Sequence, residues 1–267
     1  MNLHNPFRIA IARLIVWSLL MLIMTGGAFS QEPSKQVALL ARLTAGNEDQ
    51  RADVVIELGS MLSAYVAEQA TVDGLSQILR RDSSPLVRAL SARAMELSRD
   101  ARFVPTLLAS LKTEKDISIR KATIYALAYQ PSSQVVATLL PLLKDKKQDI
   151  RAAAAFALAE IGDPIAKDSL IDLLKKRGKD EDIFARSQAA RGLGKMADQE
   201  SIEALTVSLD RDKAQDVRRA SAQALGFIAR KQDVEAVEAL ESAKLDLDPY
   251  LVSAAEIALS RINAKNP

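Results

Sequence analysis

The stretch Val217–Ile228, VRRASAQALGFI, sets an apolar residue before an arginine, then alanines at 220 and 224 and the pair Leu225-Gly226. The same order, Arg-x-Ala-x-x-x-x-Leu-Gly in more or less complete form, starts at Arg51, Arg88, Arg120, Arg151 and Arg186. A seventh copy ends in Leu259 and has Val252 in the arginine slot. Successive slots lie 37, 32, 31, 35, 32 and 34 residues apart. Units of this size cannot close a core alone and bury their apolar faces by stacking on one another.

Numbered from one to twelve, VRRASAQALGFI places its apolar residues at slots 1, 4, 8, 9 and 12, one face of a helix, while slots 3, 7 and 11 point away from it. Between the copies run second amphipathic segments such as VPTLLASL (104–111), VVATLLPLL (135–143) and SIEALTVSL (201–209). Each repeat therefore reads as helix A, a short charged loop and helix B. Ser84, Asp149, Asp216 and Asp248 stand where N-caps of B helices belong. Pro141 falls inside a helical pattern and should kink that helix. The expected architecture is all-α, about seven hairpins from Ser34 to Ala264 in one continuous stack, with the insertion KKRGKDED in a loop.

Composition agrees with close helix stacking. Apolar residues make up 48% of the 267 residues and aromatics only 4%, so Ala, Leu, Ile and Val must build the core. The first thirty residues differ: Arg8 and Arg13, an apolar run from Leu14 to Met24, then small residues at Ala28 and Ser30. That order is expected of a signal peptide (1–30) cleaved after Ser30, with the repeat domain at 31–267 and a periplasmic or other extracytoplasmic location. The alternative, a retained anchor, would bury Arg13, and the run after it is about half of the ~20 residues a span needs. No stable membrane span is expected after cleavage. Arg8 and Arg13 account for the whole formal excess of +2, so the remaining charge balances and gives no reason to expect nucleic acid as a partner.

The repeats resemble the HEAT-repeat superfamily, in particular the short HEAT-like repeats of phycobilisome lyases, and DIRAAAAFALAEIGDP and DVRRASAQALGFIA carry the likeness. The first copy, QRADVVIELG, and the last, YLVSAAEIAL, are degenerate, as capping repeats are. The resemblance implies a right-handed α-solenoid and, in related proteins, Asp–Arg contacts that stitch neighbouring repeats together. The recurring arginines are read as such a structural ladder rather than an anion-binding row, with Asp49, Asp116, Asp149, Asp182 and Asp216 just upstream of them as candidate partners. The resemblance further implies a concave surface lined by the outward stripe of the B helices.

Candidate chemistry is sparse. The chain has no cysteine, and its single histidine is His4, so imidazole and thiolate catalysis and the usual zinc ligand sets are not available beyond the leader. HEAT-fold di-iron hydroxylases use His-Glu pairs, and none occurs. The carboxylates of Asp180-Glu181-Asp182 and Asp246/Asp248 read as a solvated loop and a helix cap. The lysines of Lys144/Lys146/Lys147 and Lys175/Lys176/Arg177/Lys179 are interleaved with or followed by acids and read as solvated loops.

The outward stripe carries the positive signal. From the second repeat to the sixth, slot 7 holds Arg93, Tyr125, Phe156, Arg191 and Gln223, and slot 11 holds Leu97, Tyr129, Glu160, Lys195 and Phe227. Aromatic and cationic side chains together have the composition of a binding hot spot. Tyr125 and Phe156 are expected at its centre with Arg93, Arg191 and Lys195 beside them, while Tyr129 and Phe227 either join it or tuck between helices. The leading expectation is an exported HEAT-like scaffold, not an enzyme, without catalytic residues, cofactor or metal, that binds a protein or peptide on its concave face. The alternative is a lyase-type factor for attaching a tetrapyrrole chromophore, or an enzyme subunit.

Overall fold

A computed structural model describes residues 34–43, 46–175 and 182–265. The expected leader at 1–30, with His4, and residues 176–181 lie outside them. The described residues form fourteen α-helices and no strand. They pair as seven hairpins. The A helices are α1 (Lys35–Leu43), α3 (Gln69–Arg81), α5 (Val104–Thr113), α7 (Ser133–Leu139), α9 (Lys167–Lys175), α11 (Ile202–Arg211) and α13 (Val234–Ala243). The B helices are α2 (Glu48–Leu62), α4 (Pro85–Ser98), α6 (Ile117–Leu127), α8 (Gln148–Ile161), α10 (Ile183–Met196), α12 (Gln215–Ile228) and α14 (Pro249–Ala264). None of these helices is long and apolar enough to cross a membrane.

Local chemistry sets the helix ends. Ser84, Asp116 and Asp248 accept backbone N–H bonds at the starts of α4, α6 and α14. The expected caps Asp149 and Asp216 sit instead in the first turns of α8 and α12, whose N-cap residues are Lys147 and Ala214. There the carboxylates still meet the positive end of the helix dipole. Pro141 does more than kink its segment: α7 stops at Leu139 and a 3-10 stretch, Leu140–Lys144, completes the repeat. Gly162 closes α8 in the left-handed region, at φ 68°.

Each B helix packs on the next, and consecutive B helices touch more extensively than consecutive A helices. The buried face is the predicted one: Val217, Ala220, Ala224, Leu225 and Ile228 in α12 are all in the core. Toward the C-terminus the B helices come very close. A Cβ on Gly194 would lie 2.8 Å from Ala224 Cα, and one on Gly226 would lie 2.7 Å from Ala258 Cα.

The arginines form the ladder. Arg51 bonds Asp82 (2.8 Å), Arg88 Glu114 (3.2 Å), Arg120 Asp145 (2.8 Å), Arg151 Asp182 (2.7 Å), Arg186 Asp212 (2.9 Å) and Arg218 Asp246 (2.7 Å). Each arginine thus reaches forward to the A/B loop of the following repeat. Of the acids expected as partners only Asp182 holds that place. Asp116 caps α6, Asp149 lies 3.5 Å from Lys121, and Asp216 pairs with Arg219 at 3.0 Å. The reason is geometric: an acid just upstream of an arginine shares its helix start, whereas the fork of the guanidinium points across to the neighbour. Five of the ladder acids also accept a backbone N–H two residues on, as Asp82 does from Ser84 (2.8 Å). Several arginines bond a carbonyl of their own loop as well, Arg88 to Asp82 O and Arg151 to Asp145 O at 2.8 Å each. Loop to loop, the chain is tied into one edge.

Candidate functional site

The residues expected on the outward stripe of the B helices divide into three groups. In the middle, Tyr125 of α6 and Phe156 of α8 meet edge to face, with ring centroids 5.3 Å apart. Both are half-buried and packed on the core. This pair fills the space between two successive B helices.

Slot 11 makes contacts from repeat to repeat. The Arg99 guanidinium lies 4.6 Å over the Tyr129 ring, and that of Arg261 lies 4.3 Å over Phe227. Lys195 reaches back to the carbonyl of Glu160 at the end of α8, a C-terminal cap, with the Glu160 carboxylate 3.5 Å away. Lys265 plays the same part for α12, donating to Phe227 O (2.5 Å) and Ala229 O (2.9 Å). Burial, together with the nearby charges of Arg230 and Arg261, pulls the Lys265 amine below its ordinary value despite the opposing charge of Asp233. Arg93, at slot 7, is held by Glu96 one turn on, at 2.6 Å.

The third group opens a site. Four successive B helices, α8, α10, α12 and α14, line an open hollow of about 940 Å³. Arg191 and Phe227 line it, joined by Phe184, Arg219, Tyr250, Ile257 and Arg261. Arg219 is committed: it bonds Asp248 (2.6 Å) and Asp216, and stacks 5.0 Å from the Tyr250 ring centroid. The Asp248 carboxylate is held below its usual range chiefly by that hydrogen bond from Arg219. Arg191 and Arg261 have no carboxylate partner among the described residues. Three exposed aromatic rings and two guanidinium groups without a carboxylate partner, Arg261 stacked on Phe227, therefore share one hollow. Of the residues singled out from the sequence, Arg191 and Phe227 line it. Arg93, Tyr125, Tyr129, Phe156 and Lys195 are not in its lining.

Three overlapping segments, 37–128, 104–185 and 177–260, match the family of HEAT repeats, and the chain belongs to that family. It is similar to the bilin biosynthesis protein PecE of Nostoc sp. strain PCC 7120, 28% identical over 152 residues, which are 57% of this chain and 58% of that protein. It is also similar to deoxyhypusine hydroxylase-B of Oryza sativa subsp. japonica, 29% identical over 130 residues, 49% of this chain and 42% of the relative. The chain thus spans 58% or less of the length of these curated relatives. Among solved structures, the complex of CpcE and CpcF of phycocyanin lyase from Nostoc sp. PCC7120 superposes with a TM-score of 0.53 at 19% identity, covering 88% of this chain and 97% of that one. The Escherichia coli protein YibA gives 0.56 at 20% identity, covering 87% and 83%. These likenesses show the fold.

The relatives correct two expectations, that the chain is a non-catalytic scaffold for a protein or peptide and that it is not an enzyme. Both curated relatives carry the names of biosynthetic or enzymatic proteins. The inference from missing histidine and cysteine reached too far. It bears on nucleophiles and imidazole bases, and not on enzyme components that work by binding and orienting a reactant.

Proposed function

We propose that the chain is the HEAT-repeat component of a lyase-type enzyme, and that its C-terminal hollow seats a bilin-like chromophore bearing carboxylates. The observation that carries this reading is the pairing of Arg191 and Arg261, both free of carboxylate partners, with the rings of Phe184, Phe227 and Tyr250 around one cavity. Flat apolar surface would be covered by the rings, and carboxylates would meet the guanidinium forks in the bidentate manner that arginine favours. The relative named for bilin biosynthesis supports the same choice. The hydroxylase relative gives a weaker lead for this chain. Among the described residues no group of three or more His, Cys, Asp or Glu side chains is placed to hold a metal ion.

In this reading the chain's own residues do no bond making. Phe227 and Tyr250, each under an arginine, present rigid faces, and Arg191 fixes the polar end of the ligand. The stacked B helices keep those groups at a set spacing. Holding a reactant in one orientation is a recognised source of rate in joining two partners. A partner subunit or acceptor protein belongs to the proposal, as in the solved complex of CpcE with CpcF.

Titration of the protein with a linear tetrapyrrole, followed by visible absorbance and induced circular dichroism, tests it. Binding should perturb the chromophore band, and Arg191→Ala and Phe227→Ala should each weaken it about tenfold, or ~1.4 kcal/mol. An unperturbed spectrum at saturating concentration would overturn the reading.

A further inference from the structure

The A/B loops occupy one edge of the stack, and the ladder decides which of their charges face water. In the second, third, fourth and sixth repeats the loop acid, Asp82, Glu114, Asp145 or Asp212, turns inward to the arginine of the preceding repeat. The basic residues beside them, Arg81, Lys115, Lys144, Lys146, Lys147 and Lys213, are all exposed and make no ion pair among the described residues. Interleaving in sequence therefore does not mean neutrality in space. The acids that follow are also engaged: Asp116 caps α6, Asp149 lies by Lys121 and Asp216 by Arg219. Glu48, Asp49 and Asp210 are exposed at the same edge, yet the free cations outnumber them and the edge is basic on balance.

The last loop changes character. Asp246 takes Arg218 and Asp248 takes Arg219, so both aspartates point inward. The alternate residues are thrown outward, and they are Leu245 and Leu247, 87% and 100% exposed. At the same distances from the ladder acid the earlier loops carry Arg81 and Ser83, Lys144 and Lys146, or Arg211 and Lys213. Two leucines held in water by an ion-pair clamp bury nothing within the chain.

We propose that this edge docks on an anionic lipid surface, with the row of lysines and arginines over the headgroups and Leu245 and Leu247 entering the headgroup–acyl boundary. Charge complementarity supplies the first half of the argument, because each cation near a negatively charged leaflet adds a comparable increment of affinity. The leucines supply the second, since stable peripheral binding combines electrostatic attraction with buried apolar area. Nucleic acid would satisfy the cations and leave the leucines in water. The rigid stack holds all the loops along one edge, so the contacts form without an ordering cost. The loop edge and the C-terminal hollow are separate surfaces.

Flotation of the full chain with vesicles decides it, comparing phosphatidylcholine alone with phosphatidylcholine mixed with an equal part of phosphatidylglycerol. Binding is expected to the mixed vesicles only. It should weaken about a hundredfold in the variant K144Q/K146Q/K147Q and about tenfold in L245S/L247S, with helicity and melting unchanged in both. Equal flotation of wild type and both variants would overturn the proposal, since the apolar run at 14–24 would then be the anchor. Equal binding to neutral vesicles, or none to either, would overturn it too. Retention on poly(U) RNA that the lysine variant loses, without vesicle binding, would reassign the edge to nucleic acid.

Discussion

Arg186 donates from Nε and Nη2 to the two carboxylate oxygens of Asp212, at 2.9 and 3.1 Å, and neither side chain touches solvent. It is the only rung of the ladder, among the described residues, buried to that degree, and Asp212 also accepts the N–H of Ala214 at 2.9 Å. Arg186→Ala should therefore destabilise the protein by ~3–5 kcal/mol, because it leaves a charge buried without its partner. The paired replacement Arg186→Leu/Asp212→Leu should recover much of that loss. Chemical denaturation of the three proteins measures both effects, and a single substitution costing under ~1 kcal/mol would show the pair to be solvated.

The outer rungs make the stack sensitive to acid. Burial pushes Asp82 and Asp145 upward, but hydrogen bonds from Arg51 or Arg120 and from backbone N–H groups outweigh it, and both carboxyls are held below their ordinary range. Glu114 behaves the same way between Arg88 and two backbone donors. A carboxyl whose folded value is depressed stabilises the fold above the unfolded value and loses that contribution as pH falls through the folded one. The melting temperature should hold steady from about pH 8 down to 5 and fall below about pH 4. Asp82→Asn, which keeps an acceptor for Arg51 but cannot titrate, should be less stable at pH 7 and show a shallower acid decline.

Two glycines of the B layer answer oppositely to alanine from one in the A layer. At Gly194 and Gly226 a Cβ would press on the backbone of α12 and α14, so alanine forces helices apart and should cost about 1–3 kcal/mol. At Gly74 in α3 the nearest atom, 2.6 Å away, is the Leu40 Cδ2, which can rotate aside. There the helical preference for alanine, about 0.5–1 kcal/mol, should prevail, and Gly74→Ala should be neutral or stabilising. Melting curves of the three variants separate the cases.

These residues also mark what the sequence alone discloses. The period and the slots 1, 4, 8, 9 and 12 of VRRASAQALGFI identify the helices and their buried face, because both follow from helical geometry within one repeat. The partner of each ladder arginine does not, since it belongs to the next repeat, and distance along the chain ranks Asp149 ahead of Asp182 for Arg151. The hollow was half visible for a similar reason. Slots 7 and 11 of the middle repeats contain Arg191 and Phe227, but Ile257 and Arg261 occupy the same slots of the degenerate last copy, where Val252 replaces the arginine that marks the register. Phe184 and Tyr250 sit two residues before their arginine slots, outside the stripe that spacing by four defines from slot 3.

The aromatics of the outward stripe should part company when each is removed. Tyr125 and Phe156 are half-buried against the core and against each other, so either alanine should lower stability, with a coupling of about 0.5–1.5 kcal/mol in a double-mutant cycle. Chromophore affinity should not change, because neither lines the hollow. Phe227 is 55% exposed beneath Arg261, so Phe227→Ala should cost little stability and weaken the tetrapyrrole. Melting and spectral titration of the same proteins measure both quantities at once. Loss of binding in Tyr125→Ala with Phe227→Ala unaffected would move the site to the middle of the B-helix stack, around the Tyr125–Phe156 pair.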